Sequence, residues 1–136
     1  MNEIYIQVEA DVNPTENQNK VKTAMENIFG NLEFELTPQG KSELLVAKIK
    51  GSSGLAKFGE LLRRERIRNA ARRVLLESVQ GKGLTFYMNK QVAFVGHVSF
   101  SNPTGESPLG PIKVQIRCDN PTELIDWLAP RTAHKH

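Results

Sequence analysis

Ile4, Ile6, Val8, Ala10 and Val12 alternate without interruption with Tyr5, Gln7, Glu9 and Asp11. Period-two patterning of this kind buries one side of a strand and leaves the other wet. The chain therefore opens as one strand of a half-buried sheet. The pattern returns along the chain. Leu32, Phe34 and Leu36 alternate with Glu33 and Glu35, and Leu44 to Lys50 places Lys48 and Lys50 outward. Leu84, Phe86 and Met88 alternate with Thr85 and Tyr87, and Ile112, Val114, Ile116 and Cys118 with Lys113, Gln115 and Arg117. Val92 to Phe100 reads as a further extended run. Pro38-Gln39-Gly40 is a short turn, which predicts an antiparallel hairpin between the second and third strands.

Asn13-Pro14-Thr15-Glu16 follows the first strand. Asn suits an N-cap, Pro the first helical position, and Glu three residues after the cap can complete a capping box. A helix is expected beyond it, with Val21, Ala24, Met25, Ile28 and Phe29 on one stripe and Gly30 at its end. The same tetrapeptide recurs at Asn120-Pro121-Thr122-Glu123, ahead of Leu124, Ile125, Trp127 and Leu128. The two helices differ in length and the elements between them do not repeat. We read the echo as two strand-to-helix joints sharing one start signal, not as a duplication.

The segment between these joints looks like one long helix, but its phase breaks. At about 100° per residue, Leu55, Phe58, Leu61 and Leu62 form one stripe. Ile67, Ala70, Ala71, Val74 and Leu75 form another, on nearly the opposite side. A straight helix cannot bury both against one sheet. A break between Leu62 and Ile67 is predicted, with Arg66, Arg68, Arg72 and Arg73 on the polar side of the second helix.

Length and composition set bounds. The 136 residues suit one domain, and 39% apolar with 24% charged residues argues against long disorder. We expect a single domain over residues 1–132 and a flexible tail over 133–136. The lone Cys118 excludes an intramolecular disulfide framework and a cysteine-based structural zinc site. No apolar run approaches the roughly 18 residues of a membrane span. Met1 to Val8 lacks the basic start of a signal peptide, so a cytoplasmic protein without membrane contact is expected. The net charge of +3 hides an asymmetry. Residues 1–50 carry a net −3, residues 51–82 a net +5 and residues 83–136 a net +1.

Catalytic patterns are sparse. Two of the three histidines, His134 and His136, lie in the tail, and His97 sits among apolar residues, so no metal site or cofactor is expected. Cys118 reads as a small buried hydrophobe. Gly51-Ser52-Ser53-Gly54 precedes a helix without the Walker spacing, and reads as a simple loop. Glu33 and Glu35 read as a solvated strand face. Arg63, Arg64, Arg66, Arg68, Arg72 and Arg73 form the one dense cluster suited to phosphate, because guanidinium is planar, bidentate and always charged. Glu60, Glu65 and Glu77 lie nearby and can pair with some of them. Phe86, Phe94 and Phe100 share a strand phase with apolar neighbours and read as core. Ala93-Phe94-Val95 matches only a fragment of the RNP1 octamer of RNA-binding sheets.

Several blocks together resemble a known family. They are Val8-Glu9-Ala10-Asp11-Val12-Asn13-Pro14-Thr15-Glu16, Lys20-Val21, Asn27-Ile28-Phe29, Leu61-Leu62-Arg63-Arg64 and Arg66-Ile67. Further blocks are Phe86-Tyr87-Met88-Asn89-Lys90-Gln91, Glu106-Ser107-Pro108-Leu109-Gly110-Pro111-Ile112 and Asp126-Trp127-Leu128-Ala129-Pro130-Arg131-Thr132. The chain is similar to the uncharacterised archaeal protein family 0201 from its first strand to Thr132. The resemblance implies an α+β fold, a largely antiparallel sheet of five or six strands covered by helices. That fold is similar to the RNA-binding domain of the ribosomal protein that holds 5S rRNA, and is RRM-related. It implies no enzymatic activity, cofactor or catalytic residue.

The expectation is a non-enzymatic interaction module with an RNA-binding-like fold but no convincing RNA-binding surface, contacting a protein partner and forming a homodimer. The alternative is an RNA-binding or ribosome-associated protein using Arg63 to Arg73. The third reading is an enzyme acting on a small anionic ligand at the Lys90 and Arg131 loops, where Lys90, Gln91, Ser107 and Arg131 are the polar groups of three loop-like blocks.

Overall fold

The computed structural model describes residues 3–102 and 109–131. The strands are β1 (Ile4–Val12), β2 (Phe34–Gln39), β3 (Ser42–Lys50), β4 (Val79–Gln80), β5 (Gly83–Met88), β6 (Phe100–Ser101) and β7 (Ile112–Cys118). The helices are α1 (Gln18–Phe29), α2 (Ala56–Arg64), α3 (Arg68–Glu77), α4 (Lys90–Phe94) and α5 (Pro121–Leu128). The fold is α+β, with one seven-stranded antiparallel sheet in the order β2-β3-β1-β7-β5-β4, and β6 also pairing with β5. The expected sheet was smaller because β4 and β6 are two residues each, too short to alternate visibly.

All five alternating runs became strands. In β1 the even residues from Ile4 to Val12 are buried and the odd ones are not. The buried face of the sheet carries the helices. Phe58 of α2 anchors this core, with ring centroids 5.7 Å from Phe29 and Phe86 and 6.4 Å from Phe100. Gly59 lets α2 lie close to α5, since a Cβ there would sit 3.2 Å from Leu128 Cδ1.

The phase break falls where predicted. α2 ends at Arg64, α3 starts at Arg68, and Arg66 between them has φ of 58°. Arg66 therefore belongs to the break and not to the polar side of the second helix. Ala70, expected in the buried stripe, is exposed, leaving Ala71 and Leu75 as the buried residues of α3.

Three other expectations are corrected. The first helix does not start at Asn13. Asn13 to Glu16 close a turn, with the Glu16 N–H donating to Asn13 O at 2.8 Å, and Asn17 caps α1 through the N–H groups of Asn19 and Lys20. Val92 to Phe100 is not one extended run, and only Phe100 at its end joins a strand. The Asn89 side chain accepts from the Val92 N–H at 2.9 Å and caps the short α4, and Gly96 at φ 88° turns the chain out. Capping chemistry prevails over the strand preference of Val and Phe there. Phe94 is consequently 40% exposed and not core, and Ala93-Phe94-Val95 straddles a helix end, which no RNP1 strand does. Trp127 likewise faces out from α5, 46% exposed, beside the buried Leu124, Ile125 and Leu128.

Candidate nucleic-acid interface

The antiparallel register stacks the outward residues of four strands into rows. One row runs Lys50, Tyr5, Arg117, Gly83 across β3, β1, β7 and β5. The next runs Lys48, Gln7, Gln115, Thr85, and a third runs Val46, Glu9, Lys113, Tyr87. Among the described residues, no helix covers these rows. A shallow concavity of about 860 Å³ spans the face, with Glu77 at one rim.

The chemistry of the rows is graded. Lys48, Lys50, Gln115 and Arg117 are exposed, and Tyr5 is 46% exposed. Two planar amides and a hydroxyl lie between the cations and Tyr87. At the third row Glu9 pairs with Lys113 at 3.8 Å, so the positive charge concentrates at the Tyr5 end. The Tyr5 hydroxyl donates to Glu3 at 2.6 Å, and the Lys50 ammonium sits over its ring at 5.6 Å. That hydrogen bond first, and the Lys50 charge second, hold the Glu3 carboxyl below its ordinary pKa. The same bond raises the Tyr5 phenol. Cations, amides and aromatic faces on an open sheet are the groups that take phosphates, base edges and base planes.

The arginine cluster does not converge. Arg63 pairs with Glu60 one turn away. Arg72 is largely buried and ties α3 to α5 through Asp126 at 2.6 Å and Ala129 O at 3.3 Å. Arg64, Arg66 and Arg73 are exposed, and Arg68 is half-buried. Glu65 turns away from the arginines to accept from the Val98 N–H at 3.2 Å and to meet His97 Nδ1 at 3.1 Å. His97 thus lies in a loop, 63% exposed, and not in a strand.

The loop residues are dispersed as well. Lys90 is 4% exposed, and its ammonium donates to Asp11 O at 2.8 Å, Leu109 O at 2.9 Å and the Glu16 carboxylate at 3.1 Å. It is fully engaged inside the protein. Gln91 is exposed on α4 and already has a partner, Arg131 is exposed after α5, and Ser107 lies outside the described residues. Thr132 and the expected tail also lie outside them. Among the described residues, no group of His, Cys, Asp and Glu comes together to hold a metal ion. No helix is long and apolar enough to cross a membrane.

The outward tyrosines of the sheet can be read from the sequence. Tyr5 and Tyr87 occupy the polar phase of their strands, where an aromatic side chain must face out. Phe86 and Phe100 occupy the apolar phase and carry no such signal.

The family model described as RNA binding matches residues 5–118, from β1 through β7. A UPF0201 protein of Saccharolobus islandicus is 41% identical over 131 residues, covering 96% of this chain and 90% of the relative. The chain belongs to the UPF0201 family. A UPF0201 protein of Sulfurisphaera tokodaii is 45% identical over 126 residues, covering 93% of this chain and 87% of that one. The crystal structure of the UPF0201 protein from Methanococcus jannaschii superimposes with a TM-score of 0.83 at 33% identity, covering 93% of this chain and 99% of that one. The resemblance read from the sequence blocks is therefore correct.

Proposed function

We propose that this UPF0201 chain is a non-enzymatic RNA-binding module and that RNA docks on the helix-free face of the sheet. The observation that carries the reading is the cross-strand row of Lys50, Tyr5 and Arg117 beside Lys48, Gln7 and Gln115. Positive charge, hydrogen-bonding amides and an exposed ring share one uncovered surface. The RNA-binding family model, which spans these strands, supports the same reading.

A second reading places RNA on the helical layer at Arg64, Arg66, Arg68 and Arg73. It is favoured by the exposure of three of them and by the positive φ that projects Arg66 from the break. Arg72 is excluded from that surface by its bond to Asp126.

The two readings separate by fluorescence anisotropy on a mixed-sequence RNA. The triple variant Lys48→Glu, Lys50→Glu, Arg117→Glu should lose binding, while Arg64→Glu with Arg73→Glu retains it. Each phosphate contact removed should flatten the plot of log affinity against log salt by about 0.7 for a single strand. The opposite pattern supports the helical surface. Wild-type affinity in both variants refutes RNA binding by either.

A further inference from the structure

Three groups on the sheet face call for more than a backbone-tracking surface. Tyr5 and Tyr87 point outward from different strands, and Gln7, Gln115 and Thr85 lie in the row between theirs. Tyr87 is two strands across and four residues along from Tyr5. At about 4.8 Å per strand and 3.4 Å per residue, the two rings are roughly 17 Å apart. Stacked bases rise about 3.4 Å per nucleotide, so one stacked step cannot join the tyrosines.

Resting on the sheet-face reading above, we infer that the ligand of this face is unpaired RNA laid diagonally across β1, β7 and β5. Two bases that are not neighbours in the strand stack on Tyr5 and Tyr87. The nucleotides between them cross the row of Gln7, Gln115 and Thr85, whose amides and hydroxyl meet exposed base edges. A duplex cannot use this layout, because its bases are already stacked on one another and their edges paired. It can offer the face only phosphates.

The arrangement at Tyr5 gives the ligand a defined route in. Lys50 covers one face of the ring in the free protein at 5.6 Å. A base that stacks there displaces the ammonium from the ring, and the arriving phosphate then competes with the exposed Glu3 carboxylate, 3.6 Å from Lys50 Nζ, for that cation. The cation and the ring thus act in sequence on the same nucleotide. Among the described residues no ammonium lies over the Tyr87 ring, and its neighbour Lys113 pairs with the more buried Glu9, whereas Lys50 pairs with the exposed Glu3. Binding at the Tyr5 end should therefore depend on salt more than binding at the Tyr87 end.

The test compares a labelled single-stranded RNA of about 12 nucleotides with the same strand annealed to its complement, a length within the range of compact single-strand binders. The single strand should bind at least tenfold more tightly. Tyr5→Ala and Tyr87→Ala should each weaken it by about 5- to 100-fold, and the Phe variants should restore it, because stacking needs the ring and not the hydroxyl. Duplex affinity should not change in any tyrosine variant. Tyrosine fluorescence, read in a Trp127→Phe background, should quench on binding the single strand. Both tyrosines are on the surface, so the variants should fold, and circular dichroism confirms it.

Equal affinity for the two RNAs, with neutral Tyr5→Ala and Tyr87→Ala, overturns the inference. If the Lys48, Lys50, Arg117 charge-reversal variant still loses both ligands, the sheet-face reading survives that result. If it binds both as the wild type does, the reading and the inference fall together.

Discussion

Replacing Lys90 with Met should destabilise the protein by several kcal/mol. Lys90 Nζ donates to Asp11 O, Leu109 O and the Glu16 carboxylate, and the two side chains are only 4% and 9% exposed. Met matches the length of the Lys stem and removes only the donors and the charge. Breaking a buried pair by deleting one partner costs about 3–5 kcal/mol, because the other charge stays behind uncompensated. Asn13 Nδ2 still donates to Glu16 at 2.7 Å and to Leu109 O at 3.0 Å, so the lower part of that range applies. With urea m-values of about 1–3 kcal/mol per molar, the midpoint should fall by roughly 1–3 M at unchanged m. Adding Glu16→Gln removes the stranded charge. The double variant should therefore be more stable than the sum of the single losses predicts, with a coupling of about 0.5–3 kcal/mol. Urea unfolding followed by circular dichroism reads all four proteins. A Lys90→Met midpoint within about 0.3 M of wild type would refute the argument. It would also reopen Lys90 as a residue kept for a ligand.

Other outcomes follow from the same geometry. Arg72→Met should cost about 1–3 kcal/mol in thermal or urea unfolding, since it releases α5 from α3, whereas Arg64→Ala should stay within about 0.5 kcal/mol. Gly54→Ala should cost about 1–3 kcal/mol, because its Cβ would collide with Ile49 Cγ2 and come within 3.2 Å of Ile6 Cδ1. Burial raises the Cys118 thiol pKa, and the nearby Asp119 and Glu123 charges add to it. The folded thiol should thus react slowly with a disulfide reagent at neutral pH and quickly only on unfolding. The linked stability is present below the ordinary thiol pKa and is lost as pH rises toward the folded value, because the unfolded thiol ionises first.

The two Asn-Pro-Thr-Glu segments show where local sequence stops being decisive. At Asn120 the tetrapeptide acts as read, with the side chain accepting from the Glu123 N–H at 3.0 Å and Pro121 in the first turn. At Asn13 the same residues close a turn ahead of the helix. There the Glu16 carboxylate accepts from the Asn13 N–H at 3.0 Å, as a capping box would, but it also meets Lys90 from 74 residues away. A pair of that sequence separation leaves no local signal. Asn89 worked the other way: its capping role was local, and the apolar residues after it concealed a helix as a strand.

Alternation determined the five long strands, and with them which of their residues face out. Helical phase determined a break between Leu62 and Ile67, because two apolar stripes on opposite sides cannot share one straight helix. The charge count marked the α2–α3 region as basic, but only the packing of α5 decided that Arg72 is a structural tie. Only the order of the strands brought Lys50, Tyr5 and Arg117 into one row. Side-chain phase is set within a strand by the backbone period of two, whereas cross-strand neighbours are set by register and topology. The proposed RNA surface depends on the second of these, so its members were visible one at a time in the sequence and together only in the fold.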